Sequence, residues 1–209
     1  MDVTISQEGG ISFTWSDYKF ADFSDWNNLF KPGQGTLTVF ENKGGDRGPA
    51  LFTTKIPLTP GPLVVVIKPA QAQAFNASGP QPYWPPRDPD QVETIAASYV
   101  QPGSEGSLRL FNLSPDTKRA GVALAGKSLA TDVAFSLGSP WSTVPAKSET
   151  FDFTDSATGK TLLSKIETPP RAPIGTTSFL LGEQKPASAD MGIQVVALND
   201  APEGGKCHP

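Results

Sequence analysis

From Gly106 onward, apolar and polar positions alternate in short runs, each closed by turn residues. Leu108 and Leu110 alternate with Ser107 and Arg109 before Phe111, Val122 and Leu124 lead into a Gly126-Lys127 turn, and Val133 and Phe135 follow Asp132. Trp141 to Val144 stops at Pro145, Thr150 to Thr154 places Phe151 and Phe153 on one face, and Thr161 to Ile166 follows a turn at Asp155 to Gly159. Thr176 to Leu181 and Ile193 to Leu198 complete the set. The pattern predicts about eight short strands in about 95 residues, the spacing of an immunoglobulin-like β-sandwich.

The first half repeats part of this grammar. Gly35-Thr36-Leu37-Thr38-Val39-Phe40 parallels Gly106-Ser107-Leu108-Arg109-Leu110-Phe111 at an offset of 71 residues, and Pro60-Gly61 before Leu63 to Ile67 parallels Pro145-Ala146 before Thr150 to Phe153. Two matches in the same order predict a duplicated sandwich. Leu63 to Ile67 is unbroken and β-branched, so it reads as a strand covered on both faces. Pro69 to Asp90 carries six prolines and reads as an extended excursion. Val92 to Val100 fits either a strand or a short helix, and Phe23, Trp26 and Phe30 fit one short helix near residues 24–30. The expected organisation is an all-β chain of two tandem Ig-like β-sandwich domains. The first spans residues 1–101, including the proline-rich excursion at 69–90. A junction at Gln101 to Ser104 leads to the second, residues 104–201, and a flexible tail follows at 202–209.

Composition supports this and narrows the chemistry. Twenty Gly and 21 Pro among 209 residues leave little room for helices of ordinary length. At 37% hydrophobic and 18% charged, the chain has enough apolar residues for a core. No apolar run approaches the ~20 residues that span a bilayer, so membrane insertion is not expected. The net charge of −4 is spread over both halves, seven basic against ten acidic residues and then ten against eleven, which disfavours nucleic acid. The single cysteine, Cys207, permits no intrachain disulfide, and the single histidine, His208, sits in a Gly-rich tail where nothing would orient it. Serine–histidine hydrolysis and structural zinc are therefore not expected, and Gly44-Gly45-Asp46-Arg47-Gly48 lacks the Lys-Ser/Thr pair of a phosphate-binding loop.

What remains is thin. Carboxylates could serve as glycosidase acid and base, although none stands out. Asp17, Asp22 and Asp25 with Asn27 and Asn28 offer oxygen ligands without EF-hand spacing and read better as turn residues and caps. The expectation is a non-enzyme with no metal and no cofactor. Phe13 and Trp15 read as core, whereas Tyr83-Trp84 in the proline-rich loop are candidate partner or glycan contacts. Lys118, Arg119, Lys127 and Arg171 would make a basic cleft for an anionic glycan if they converge. Asn76-Ala77-Ser78 and Asn112-Leu113-Ser114 fit the glycosylation pattern, Asn76 being the better placed. No basic and apolar leader precedes Asp2, so the chain reads either as intracellular or as the mature segment of an exported protein with a starting Met, and its Pro/Gly-rich, sandwich-like, weakly charged composition favours the second.

Four words in the second half occur in a fixed order: Asn112-Leu113-Ser114-Pro115-Asp116, Val133-Ala134-Phe135, Ser139-Pro140-Trp141 and Val144-Pro145-Ala146. Over about 100 residues this resembles a family of exported Ig-like domains of unknown function, departing from it at Leu113, where Ala is usual, and at Lys147, where Gly is usual. A distantly similar fold occurs in the accessory protein of bacterial alginate O-acetylation. The resemblance implies export and a role in binding or assembly through other proteins, self-association or glycan, at a cell surface, in a matrix or in the periplasm. It implies no catalytic residues. An accessory role in exopolysaccharide modification, or carbohydrate binding, is the alternative. Read from the residues alone, Ser114-Pro115-Asp116 is a turn at a strand end.

Overall fold

The computed structural model describes residues 1–16, 31–58, 63–67, 89–96, 105–168, 175–186, 189 and 192–199. Among them nearly all regular structure is strand, and no α-helix occurs. The segment around residues 24–30 and the predicted junction at 101–104 lie outside the described residues. The described chain divides into two compact units, one ending at Ala96 and the other starting at Glu105.

The first unit contains β1 (Asp2–Gln7), β2 (Ile11–Trp15), β3 (Gly33–Lys43), β4 (Asp46–Leu58), β5 (Leu63–Ile67) and β6 (Val92–Ala96), the last entered through a single 3-10 turn at Pro89–Gln91. Four strands form an antiparallel sheet in the order β2-β1-β3-β4, and β5 pairs with β6. Gly44 and Gly45, with φ of 69° and 100°, make the two-residue β3–β4 hairpin, a turn that needs left-handed backbone at both positions. The Gly-rich stretch is thus a hairpin tip. Val3, Ile5, Leu37, Val39, Phe52, Ile56 and Leu58 form the core, and Leu63, Val65, Ile67 and Val92 pack onto it. On the other face of the β5–β6 hairpin, Val66 and Ile95 are also buried, as expected for a strand covered on both sides. Of the two readings for Val92 onward, the strand is the one adopted.

The second unit comprises β7 (Glu105–Asn112), β8 (Arg119–Leu124), β9 (Lys127–Ala134), β10 (Ser142–Pro145), β11 (Glu149–Asp155), β12 (Lys160–Thr168), β13 (Gly175–Leu181) and β14 (Gln194–Asn199). These eight strands coincide with the eight that alternation predicts. They form two four-stranded sheets, β10-β7-β13-β14 and β12-β11-β8-β9. Leu108, Leu110, Val144 and Leu180 from the first meet Ala120, Val122, Val133, Phe151 and Phe153 from the second. This is a β-sandwich, its core built from the inward half of each alternating strand. The pair β7–β13 is parallel and the rest are antiparallel. The strand order therefore differs from the four-plus-three antiparallel arrangement of a constant-type Ig domain, and also from that of the first unit.

Both outer strands of the β12-β11-β8-β9 sheet are bulged. Thr131 and Asp132 of β9 together oppose Gly121, and Ser164 and Lys165 of β12 oppose Asp152. Asp132 and Lys165 take positive φ, 58° and 56°. Such bulges twist an edge away from another strand and discourage edge-to-edge pairing.

Candidate functional site

A dense polar network among the described residues of the second unit sits where β7 ends. Asn112 is fully buried; its Nδ2 donates to the carbonyls of Thr117 at 2.8 Å and Val133 at 3.0 Å, and its Oδ1 accepts from the Ser114 N–H at 3.1 Å. Pro115 takes the second position of a four-residue turn closed by Thr117 N–H on the Ser114 carbonyl at 3.2 Å. That turn aims Asp116 at the loop after β13, where its carboxylate accepts from the backbone N–H groups of Gln184, at 2.9 and 3.0 Å, and Lys185, at 3.3 Å. The Gln184 side chain then donates to Thr117 Oγ1 at 3.2 Å and to Asp155 Oδ2 at 3.3 Å. Three loops are thereby tied together by one network.

Asp155 is buried and closes the network. Burial pushes its carboxyl up, but hydrogen bonds from Gln184, Thr158 and the Ala157 and Thr158 backbone outweigh that and hold it below the ordinary carboxylate value. Asp152, on the surface, is lowered by the Lys165 N–H at 2.9 Å and the Ser164 hydroxyl at 2.7 Å, the groups of the β12 bulge. Each of these acids holds loop or bulge backbone in place. No group of three or more His, Cys, Asp or Glu among the described residues could hold a metal ion. The Asp17, Asp22 and Asp25 cluster lies outside those residues.

Of the sequence-predicted contacts, Tyr83, Trp84, Arg171 and Asn76 lie outside the described residues. Asn112 cannot accept a glycan in the folded chain, because its amide is buried and donates twice. Lys118 and Arg119 are exposed neighbours at the start of β8, and Arg119 Nη1 lies 3.4 Å from Asp132 Oδ1. Lys127 pairs with Leu124 at the far end of the same hairpin, five residues along β8 from Arg119, or about 17 Å at strand rise. The structure does not bring Lys127 together with the other two, so the expected cleft is not assembled from them.

A second arrangement gave no sequence signal. On the outer face of the β10-β7-β13-β14 sheet, the Arg109 guanidinium lies 4.5 Å from the Trp141 ring and 5.4 Å from Phe111, and its Nε donates to Thr177 Oγ1 at 2.8 Å. Phe111 in turn meets Phe179 at 5.7 Å. Glycine permits this: a Cβ at Gly175 would fall 2.5 Å from Trp141, and one at Gly138 would fall 2.5 Å from Phe111. Alternation assigns Ser107, Arg109 and Phe111 to a solvent face, yet they are 4%, 8% and 7% exposed. A groove of about 410 Å³ runs between β9 and the 137–140 segment beside the exposed Leu137.

Neither a family model nor a curated protein sequence matches the chain. The four words behind the resemblance fall on joints of the sandwich: the Asn112–Asp116 network, the stretch after the β9 bulge, the Trp141 stack and the end of β10.

Proposed function

We propose that the chain is an exported, non-catalytic module that acts by holding a surface in place for binding or structural assembly. The observation that carries this reading is the use made of Asp116 and Asp155. Their oxygens accept N–H groups of the unit's own loops and of the Gln184 side chain, and Asp155, held below the ordinary carboxylate value by such bonds, is a poor proton donor at neutral pH. The edge bulges and the glycine-permitted stack fit a rigid presenting scaffold. Export rests on the resemblance of the second half to exported Ig-like domains. The alternative of an anionic-glycan accessory factor has less support, since Lys127 lies far from Lys118 and Arg119.

The test is a turnover screen of the full chain against chromogenic glycosides and esters, beside light scattering over a concentration series. No turnover is expected from the wild type, and Asp155→Asn should lower the melting temperature. Turnover that Asp155→Asn or Asp116→Asn abolishes would sink the proposal.

A further inference from the structure

The outward face of the β2-β1-β3-β4 sheet carries hydroxyls in ranks. Cross-strand register aligns Thr14, Thr4, Thr38 and Thr53 side by side, with Thr4 and Thr14 Oγ1 atoms 2.9 Å apart and Thr53 donating to Thr38 at 3.2 Å. The adjacent rank runs Ser12, Ser6, Thr36 and Lys55, whose ammonium donates to Thr36 Oγ1 at 2.6 Å. Directly opposed residues share a face, and the alternate positions, Val3, Ile5, Leu37 and Val39, fill the core beneath.

The geometry points to a site for a single neutral polysaccharide chain lying along these ranks, across the strands. This deepens the reading of the chain as a binding module and rests on it. The two ranks hold no carboxylate and no apolar side chain, and their one cation, Lys55, donates to Thr36 Oγ1 at the sheet edge, so the surface a partner meets along the ranks is mainly hydroxyl and hydrophobic burial would not drive binding there. A ligand must match hydroxyl with hydroxyl. Each hydroxyl has one proton and two acceptor positions, so the pairs within a rank keep bonding capacity to spare. Strands about 4.8 Å apart present one hydroxyl for roughly each unit of an extended β-linked sugar chain, and ranks about 6.8 Å apart leave the width of one chain. Adjacent strands rotate by about 20°, some 60° over four strands. A single chain with rotatable linkages can follow that twist, whereas a rigid crystal plane cannot.

Affinity electrophoresis of the full chain in mixed-linkage β-glucan and in xylan, with polygalacturonate as the acidic comparator, tests the site. Retention by the neutral polymers, insensitive to salt, is expected. Thr4→Val with Thr38→Val keeps shape and strand propensity, and should weaken binding about tenfold, as for one or two net hydrogen bonds. Thr53→Glu, at an exposed position, should weaken it comparably and guards against a folding defect in the double variant. Undiminished binding by both variants would move the ligand elsewhere and leave the binding-module reading intact. Absence of neutral-glycan binding in the wild type, preference for polygalacturonate, or arrest of ice growth would each overturn the site.

Discussion

Gly35 to Phe40 and Gly106 to Phe111 are the same word in two settings. In both, the two inward residues are buried to 1% exposure or less: Leu37 and Val39 in one, Leu108 and Leu110 in the other. In both, an arginine stands over the closing phenylalanine, Arg47 at 4.7 Å from Phe40 and Arg109 at 5.4 Å from Phe111. The settings differ on the outer face. Thr36 and Thr38 of β3 are half-exposed members of the hydroxyl ranks, whereas Ser107 and Arg109 of β7 are buried. The neighbours differ too: β3 lies between antiparallel β1 and β4, and β7 lies between antiparallel β10 and parallel β13. A local word therefore specifies a strand and its inward face, while its partners and the cover of its outer face come from elsewhere in the chain.

The largest expected effect probes what the two words share. Leu37→Ala and Leu108→Ala should each cost about 3 kcal/mol. The double variant should be additive to within ~0.5 kcal/mol, because the residues belong to separate cores. Denaturant titration of the singles and the double checks both values, and strong coupling would break the comparison. The next effect separates the words. Arg109→Met removes a buried stack and a hydrogen bond and should cost about 2–3 kcal/mol, whereas Arg47→Met, at an exposed site, should cost less than ~1 kcal/mol. Equal losses in thermal melts would show that the covered face is energetically no different from the open one.

The smallest effect concerns the network that follows Phe111. Asp155 has a lowered folded-state pKa, so its contribution to stability is complete above the unfolded carboxylate value of about 3.9 and is lost as pH falls through the lower folded value. Melts of wild type and Asp155→Asn should differ by a constant amount near neutrality and converge below about pH 4. A gap that stayed constant into acid would remove Asp155 from the pH dependence.

Strand positions in the second half were legible because inward residues recur at period two and turn residues punctuate them. The Asn112–Asp116 word was legible as a turn, since Pro115 and Asp116 have local preferences for one. Its reach to Gln184 and Asp155 was not, because those residues lie 68 and 39 positions further on and nothing local marks them as partners. The Arg109 stack was hidden for a related reason. Alternation counts an arginine as solvent-facing, and only the approach of Trp141 and Phe179, with glycine at 138 and 175 making room, turns that face into packing.

By itself, the order of residues determined that this chain is all-β, where most of its strands run and which side of each faces the core, since these follow from alternation and from the backbone demands of Gly and Pro. Tertiary structure alone decided that β7 pairs in parallel with a strand some seventy residues later, that Lys127 and Arg119 stand apart, and that hydroxyls from four strands align into ranks. Those outcomes depend on register between distant segments, which is set by how whole faces fit together.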